Sequence, residues 1–498
     1  MELALTTGDS CDAACPRCLL LWLATDEDSV RLVDELERDF TVGPETDGRA
    51  EGLAEVRTID GKVAFQSLVR DPHPCCDGPH RACPRVVPPS HVSLGLLEAA
   101  DRLAERWEQP WTGVIRDLAE AREWFPPELV DRLGDRFVFL AYFANPVFPR
   151  YPRIPFHDNA LGTARDQPMA RAKALMETAE RYCALTPAPS DGQAAALDSP
   201  LLDVRAAGFG ALADANATPV RTLEGQQWAV PTSLLFCNPA PGQPDCNVTT
   251  SGCAAHTDPT RADVGAALEL LERDATLHHW LLGVRRPHVD PDTWPASVVH
   301  TAQELHRYGH DLHLVDVSEL SGLPTYIAVI ANYRDEWPDT IVGSACHVSA
   351  PVALEKAVDE AFATTVVAWA SQRSNERLEP VDVFEPVDHS MFYRVSGRRD
   401  LLDHYHEADG TTALPDPPAP MTADEMMSLV DGAARARGHT LVYADLTLPG
   451  VRSCGITVRR AFCPTMLVMA FGTGNLRVPT ALDGLVDHHR LGLPHPYG

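Results

Sequence analysis

Positive charge is scarce in this chain: 42 Lys and Arg face 70 Asp and Glu, a formal net charge of -28. Such a surface repels phosphate backbones and anionic membranes, and no local basic patch interrupts it, which argues against a nucleic-acid or lipid partner. Long apolar runs are also missing. The longest early one, Leu19 to Ala24, falls far short of the roughly 20 residues that span a bilayer. The Met1-Glu2-Leu3 start lacks the basic segment of a secretory signal, so a cytoplasmic protein is expected. No repeat with a period of about 20 to 50 residues and no low-complexity tract is present, which excludes a stacked array.

What is present fits a globular enzyme. The 498 residues are 45% hydrophobic and 22% charged, enough for two or three domains. Cysteine is abundant, 13 in all, and six of them precede residue 84. That clustering marks residues 1–87 as a separate unit, and a reducing compartment favours metal ligation or buried thiols over a disulfide frame. Within the unit, Val30, Leu32, Val33, Leu36 and Phe40 give one helical face, and residues 55–69 alternate like a hairpin around Asp60-Gly61. Cys15-Pro-Arg-Cys18 and Cys75-Cys76-Asp-Gly-Pro-His-Arg-Ala-Cys83 can supply four thiolates, with Cys15, Cys18, Cys76 and Cys83 the expected set for a structural zinc. The Cys76 to Cys83 spacing is wide, so Cys75, His73, His80 or Cys11 are alternatives. Pro88-Pro89 opens a connector over 88–109 with a helix from Leu96 to Trp107, and a main domain fills 110–498. Helical stretches there (170–185, 261–280) alternate with β-like runs (312–317, 326–330, 441–446), an α+β pattern with mixed sheets. Pro415 to Pro420 reads as a rigid surface loop.

One motif occurs twice: Glu177-Thr-Ala-Glu180-Arg181 and Glu269-Leu-Leu-Glu272-Arg273. Three-residue spacing puts each glutamate pair on one helical face, where like charges repel by roughly a few tenths of a kcal/mol even in water. The second pair is surrounded by Ala266, Ala267, Leu268, Leu270 and Leu271, so its carboxylates need protons, arginine or a hard cation. Four such glutamates can hold Mg²⁺, which often arrives carrying nucleotide phosphates. The plainer alternative is two solvated faces, each closed by its own arginine.

The segments Met169–Tyr182 and Gly252-Cys-Ala-Ala-His256 with Ala267–Ala275 resemble the two signatures of the YcaO family. Thr112-Gly113-Val-Ile115, Gly343-Ser-Ala-Cys-His347 before Asp359-Glu360-Ala361, and the terminal Leu493-Pro494-His-Pro496-Tyr-Gly498 extend the resemblance in the family's order. It implies a YcaO domain in which Glu177, Glu180, Glu269 and Glu272 hold Mg²⁺ and ATP, with Arg181, Ser251 and Arg273 beside the nucleotide. It further implies a peptide cyclodehydratase. In the family's azoline-forming members a Cys, Ser or Thr side chain of a ribosomally made peptide attacks the preceding amide carbonyl, ATP phosphorylates its oxygen, and loss of phosphate leaves a thiazoline or oxazoline. The proline-spaced tail, Pro494, Pro496 and Gly498, is implied to enter the active site. Thr163, Lys173, Ser251, Ala363, Thr365 and Gly498 depart from the family pattern, which raises altered ATP use or a scaffold role as alternatives, with Lys173 as a substitute for the lysine usual at 163. Thioamide or amidine formation is a further alternative. The cysteine-rich unit resembles the zinc-bearing part of E1-like proteins, which implies a separate E1-like or leader-binding partner and a homodimer or larger complex. His278-His279, His488-His489 and Gly472-Thr-Gly474 are read as ordinary structure, with the histidines at surface or partly buried positions. Cys183, Cys253 and Cys346 are read as buried thiols.

Overall fold

The computed structural model describes residues 93–108, 114–144, 157–185, 199–205, 217–237, 246–334, 337–370, 377–482 and 484–498, with three short strands nearer the start. Those strands, β1 (Glu2–Leu5), β2 (Leu53–Arg57) and β3 (Val63–Ser67), form an antiparallel sheet in the order β1-β2-β3. The β2–β3 pairing is the hairpin expected around Asp60-Gly61. The helix expected from Val30 to Phe40 and the zinc ligands Cys15, Cys18, Cys76 and Cys83 lie outside the described residues.

Helix α1 (Leu96–Trp107) spans the expected residues and buries Ala99, Ala100, Leu103, Ala104 and Trp107, an i, i+4 stripe. It packs into one core with the helix that follows a three-stranded antiparallel sheet of β4 (Ile115–Glu120), β5 (Phe137–Ala144) and β6 (His157–Ala164). That helix, α2 (Gln167–Leu185), presses Tyr182 edge-on against Trp107 with ring centroids 5.0 Å apart. It lies so close to β6 that a Cβ on Gly162 would stand 2.0 Å from the Ala170 carbonyl oxygen and 2.3 Å from the Ala174 nitrogen. Only glycine permits this approach, and it anchors the start of α2.

Strands β7 (Ala217–Arg221), β8 (Gln227–Pro231) and β9 (Cys253–His256) lead to α3 (Pro259–Leu282), the longest helix described. Its ends are written in sequence. The Asp258 carboxylate accepts the Arg261 N–H, Pro259 takes the first turn, and Gly283 stops the helix at φ 61°. Next come β10 (His288–Val289), α4 (Ala296–Arg307), β11 (His310–Asp316), β12 (Thr325–Asn332), β13 (Thr340–Cys346), α5 (Ala350–Ala370), α6 (Pro386–Arg394), β14 (Thr411–Thr412), α7 (Ala423–Ala436), β15 (Val442–Asp445) and β16 (Thr457–Phe462). Two five-stranded sheets result, β13-β12-β11-β10-β14 and β8-β7-β15-β16-β9. The first is mixed, because β10 and β14 run parallel while its other neighbours are antiparallel.

Every residue of β12 and β13 is buried, since both faces of their sheet are covered. Tyr326, Ala328 and Ile330 share a core with α4 and α5, whereas Ile327 and Val329 meet Ala275, Leu277, Trp280 and Leu281 of α3. Burying each of the larger aliphatic side chains, such as Ile327, Val329 and Ile330, contributes roughly 1.5–3 kcal/mol. The first half of α3 packs instead with α7, Tyr443 and Ala461, so α3 bridges the two large sheets. The Pro415–Pro420 segment is an exposed loop, as its composition predicts. Among the described residues no helix is long and apolar enough to cross a membrane.

Candidate active site

The two Glu-x-x-Glu helices face each other, and α5 adds a fifth carboxylate, Glu360. Burial raises the pKa of Glu180, and the negative charges of Glu177 and Glu269 raise it further, so the α2 and α3 pairs form one cluster. Burial also lifts Glu269 to about 8 against the pull of Arg273, with Glu272 and Glu177 adding repulsion. Glu360 rises to about 7 for the same first reason, again opposed by Arg273. Arg273 therefore serves several carboxylates at once. Its Nε lies 3.7 Å from Glu269 Oε1 and 3.9 Å from Glu272 Oε1. Arg181 closes onto Glu177 at 2.8 Å across one helical turn.

Strand β13 fixes the inner wall. Ser344 donates its hydroxyl to Glu272 Oε1 at 2.7 Å, the Cys346 N–H reaches Glu272 Oε2 at 3.2 Å, and the Ser344 N–H reaches Glu360 Oε2 at 2.8 Å. Glu272 is left only 8% exposed. The solvated-face alternative suits Glu177 and Arg181, which are about one-third exposed, but not Glu272. Glu180 makes no ion pair of its own among the described residues. A cluster of five carboxylates around Arg273 and Arg181 carries surplus negative charge, and burial raises the pKa of four of them, Glu180, Glu269, Glu272 and Glu360. That donor chemistry, all oxygen and all anionic, fits a hard divalent cation carrying phosphates. As placed, no three acidic, imidazole or thiol side chains among the described residues converge as ligands of one ion.

Lys173 donates to the Thr163 carbonyl at 2.8 Å. The positive charge that the Thr163 side chain lacks is thus present beside its backbone. Ala363 and Thr365, two further departures from the family pattern, are buried in α5, where Thr365 bonds back to the Ala361 carbonyl at 2.8 Å. Ser251 is 4% exposed, with its hydroxyl 2.8 Å from Thr249. It lines a pocket with Asn247, Arg460, Met466 and Arg477. Arg460 anchors that pocket through the Leu235 and Thr249 carbonyls at 3.0 and 2.7 Å, and its charge reaches Glu269. Gly252, at φ 78°, lets β9 approach the Ala461 carbonyl, which a Cβ would meet at 2.6 Å.

The tail is docked, not loose. Tyr393 of α6 donates to the Pro494 carbonyl at 2.6 Å, and His495 Nε2 pairs with the Ala470 carbonyl at 3.0 Å. His389 joins two strands of this contact. Gly472 N–H donates to its Nε2 at 2.9 Å, which leaves Nδ1 as the donor to the His495 carbonyl at 3.1 Å. Tyr405 and Tyr497 hydroxyls lie 3.1 Å apart. Tyr497 feels Glu272 and Arg273, and His495 feels Arg273, so the tail ends beside the carboxylates. Gly498 nests where a Cβ would stand 2.6 Å from the Pro386 carbonyl oxygen and 2.9 Å from Ser390 Oγ.

The structure thus unites Glu177, Glu180, Arg181, Glu269, Glu272 and Arg273 and brings Pro494–Gly498 alongside. Glu360, Lys356, Ser344 and Arg460 were not singled out from sequence. For Glu360 and Ser344 a signal existed in the Gly343–His347 and Asp359-Glu360-Ala361 segments; for Arg460 there was none. His279 is a correction: it is 1% exposed, not at the surface, because α3 is covered on all sides at that turn. His488 and His489 are exposed as expected. Cys183, Cys253 and Cys346 are buried as expected, and burial pushes Cys346 up to about 12.

No curated protein matches the chain. Among solved structures it is similar to a heterocyclase in complex with substrate and cofactor, at 18% identity and TM-score 0.62, covering 89% of this chain and 65% of that one. It is similar to YcaO from Methanopyrus kandleri bound with AMPPCP and Mg²⁺, at 14% identity and TM-score 0.56 over 74% of this chain and 91% of that one. The E. coli microcin synthetase McbBCD complex follows, at 14% identity and TM-score 0.53 over 72% and 93%. These likenesses concern the fold, and the chain spans 65% of the heterocyclase's length. Residues 161–467, more than half of the chain, match the family described as YcaO cyclodehydratase, ATP- and Mg²⁺-binding. With its carboxylate helices in place, the chain belongs to the YcaO cyclodehydratase family.

Proposed function

We propose that this protein is an ATP- and Mg²⁺-dependent cyclodehydratase subunit that converts Cys, Ser or Thr residues of a ribosomal precursor peptide to thiazolines or oxazolines. The observation that carries this reading is the docked tail, held by Tyr393 at Pro494 and with Tyr497 within electrostatic reach of Glu272 and Arg273. Glu177, Glu180, Glu269 and Glu272 would hold the metal, which with its nucleotide supplies a neutralised triphosphate and a transferable phosphoryl group. Ser344 and the Cys346 N–H orient Glu272, and Arg273 balances the charge that the metal does not. His389 and Tyr393 hold the tail, so that little ordering remains when substrate arrives. The peptide supplies its own nucleophile.

A separate E1-like or leader-binding protein is expected to present the peptide, in keeping with the McbBCD relative, which is a complex. A structural zinc on Cys15, Cys18, Cys76 and Cys83 belongs to the same proposal and rests on spacing alone; metal analysis of the purified chain tests it. Reconstitution with precursor peptide and partner should remove about 18 Da, one water, per ring with release of phosphate. A peptide gaining sulfur in place of oxygen would assign thioamide formation instead. Unchanged peptide mass in a correctly assembled complex would leave the scaffold role, for which the buried Ala363 and Thr365 speak.

A further inference from the structure

The segment from Glu379 to Asp388 repeats itself: Glu379-Pro-Val-Asp382 and Glu385-Pro-Val-Asp388 flank Val383-Phe384. Each copy opens a helical turn, Pro380–Asp382 in the first and α6 in the second. In each, the aspartate carboxylate accepts the N–H of the glutamate three residues before it, at 3.2 and 3.0 Å. The segment is fastened from within. Leu378 and Val383 join the core that holds Met391 and Phe392, and the Thr473 N–H donates to the Val383 carbonyl at 3.3 Å. The outward side chains take no part in that core. Val381 is 74% exposed, Phe384 69% and Val387 38%, three apolar groups at three-residue intervals on a backbone pinned by those bonds. A single exposed apolar residue is ordinary, whereas a row of three with an aromatic at its centre marks a contact surface.

Charge and position name the occupant. Glu379 and Asp382 are exposed beside the row, and residues 377–390 hold four acidic side chains against one basic, Arg377. An acidic rim favours a cationic, apolar occupant and opposes a second copy of the same surface. The row also runs into the docked tail. A Cβ on Gly498 would stand 2.6 Å from the Pro386 carbonyl oxygen, and Tyr393, farther along α6, holds the Pro494 carbonyl. A chain laid along the row is thereby led to the tail. We propose that Val381, Phe384 and Val387, rimmed by Glu379 and Asp382, form a docking strip for an apolar stretch of the precursor peptide that carries lysine or arginine. The proposal rests on the peptide-modifying reading of the protein and adds to it a binding surface outside the carboxylate cleft.

The test is fluorescence anisotropy on the full chain with two labelled synthetic peptides, one with leucine at every third position and lysine between, the other with glutamate in place of lysine. The lysine peptide should bind about tenfold more tightly than the glutamate peptide. V381S/F384S should weaken the lysine peptide about tenfold while the melting temperature stays within about a degree of wild type, because both side chains are outside the core. E379Q/D382N should weaken it about threefold and flatten its salt dependence. Equal affinity of the wild type for the two peptides, or lysine-peptide affinity unaltered in V381S/F384S, would overturn the strip. So would a V381S/F384S chain that keeps the peptide but loses a leader-binding partner on size exclusion, since the row would then belong to that protein. Ring formation in the reconstituted system separates this proposal from the one it rests on: lysine-peptide binding lost in V381S/F384S with no ring made by the wild type would keep the strip and bring down the cyclodehydratase. Rings made by V381S/F384S at the wild-type KM would do the reverse.

Discussion

At the residue scale, the cluster is governed by carboxylates kept from solvent with too few cations among them. Glu269, held near a pKa of about 8 chiefly by burial, is close to neutral in the absence of metal, so Glu269→Gln removes little from the fold. The variant should melt within a degree or two of wild type, or higher, yet lose Mg²⁺-dependent nucleotide binding by roughly a hundredfold or more, as read by calorimetry. Unaltered nucleotide affinity would mean that the glutamates only shape the cleft. Arg273→Met has the opposite profile, because it strips the shared counter-charge from Glu269, Glu272 and Glu360. It should cost about 3–5 kcal/mol in denaturant unfolding, and Mg²⁺ should restore part of that loss. The Glu pairs were legible in the sequence because three-residue spacing on a helix places side chains without reference to the rest of the fold. Arg460 was not, because a distant strand brings it to the site, and Glu360 was legible only as part of a signature segment, because its place beside the pairs depends on how α5 packs.

At the element scale, the site depends on how closely helices lie on strands. Gly343 of β13 faces α5, where a Cβ would stand 2.4 Å from the Ala361 nitrogen and 2.8 Å from the Ala357 carbonyl oxygen. Gly343→Ala must push α5 outward, and Lys356 and Glu360 with it. A loss of about 1–3 kcal/mol in denaturant unfolding, together with weakened nucleotide binding, is expected; nucleotide binding at wild-type strength would show that β13 and α5 need not touch. The tail offers a separate lever. His389→Leu removes the group that joins Gly472 to the His495 carbonyl, freeing the tail while leaving the carboxylate helices in place. Peptide cyclisation should fall steeply while AMPPCP affinity stays within about twofold; equal losses of both would make the contact merely structural. Helix boundaries here were legible, α1 most closely, since caps and stripes are local. That Gly343 and Gly162 mark helix-on-strand contacts was not, because a glycine in a strand carries no sign of what lies against it.

At the scale of the whole molecule, two sets of buried groups pull the pH dependence in opposite directions. Burial lowers His279 and His406 to about 3, His404 to about 2, and His389 and His347 to about 4. Their stabilisation is complete above the ordinary histidine pKa of about 6.5 and is lost as pH falls toward those values. Glu269 and Glu360 are raised, to about 8 and about 7, so their contribution is complete below about 4.5 and is lost as pH rises through 7 to 8. Melting temperature without metal should therefore decline on both sides of an intermediate optimum. Mg²⁺, which favours the ionised carboxylates, should raise it more at pH 8 than at pH 5.5; a gain independent of pH would dissociate metal binding from these glutamates. By itself the sequence determined the α+β class, the two carboxylate helices and the family, because helical spacing and signature segments are properties of contiguous residues. The tertiary structure alone decided that the two helices face each other, that α5 adds Glu360 and Lys356, and that the tail docks beside them. Those relations depend on which faces of α2, α3 and α5 are buried against sheets built from strands far apart in the chain, and no local pattern encodes which face that will be.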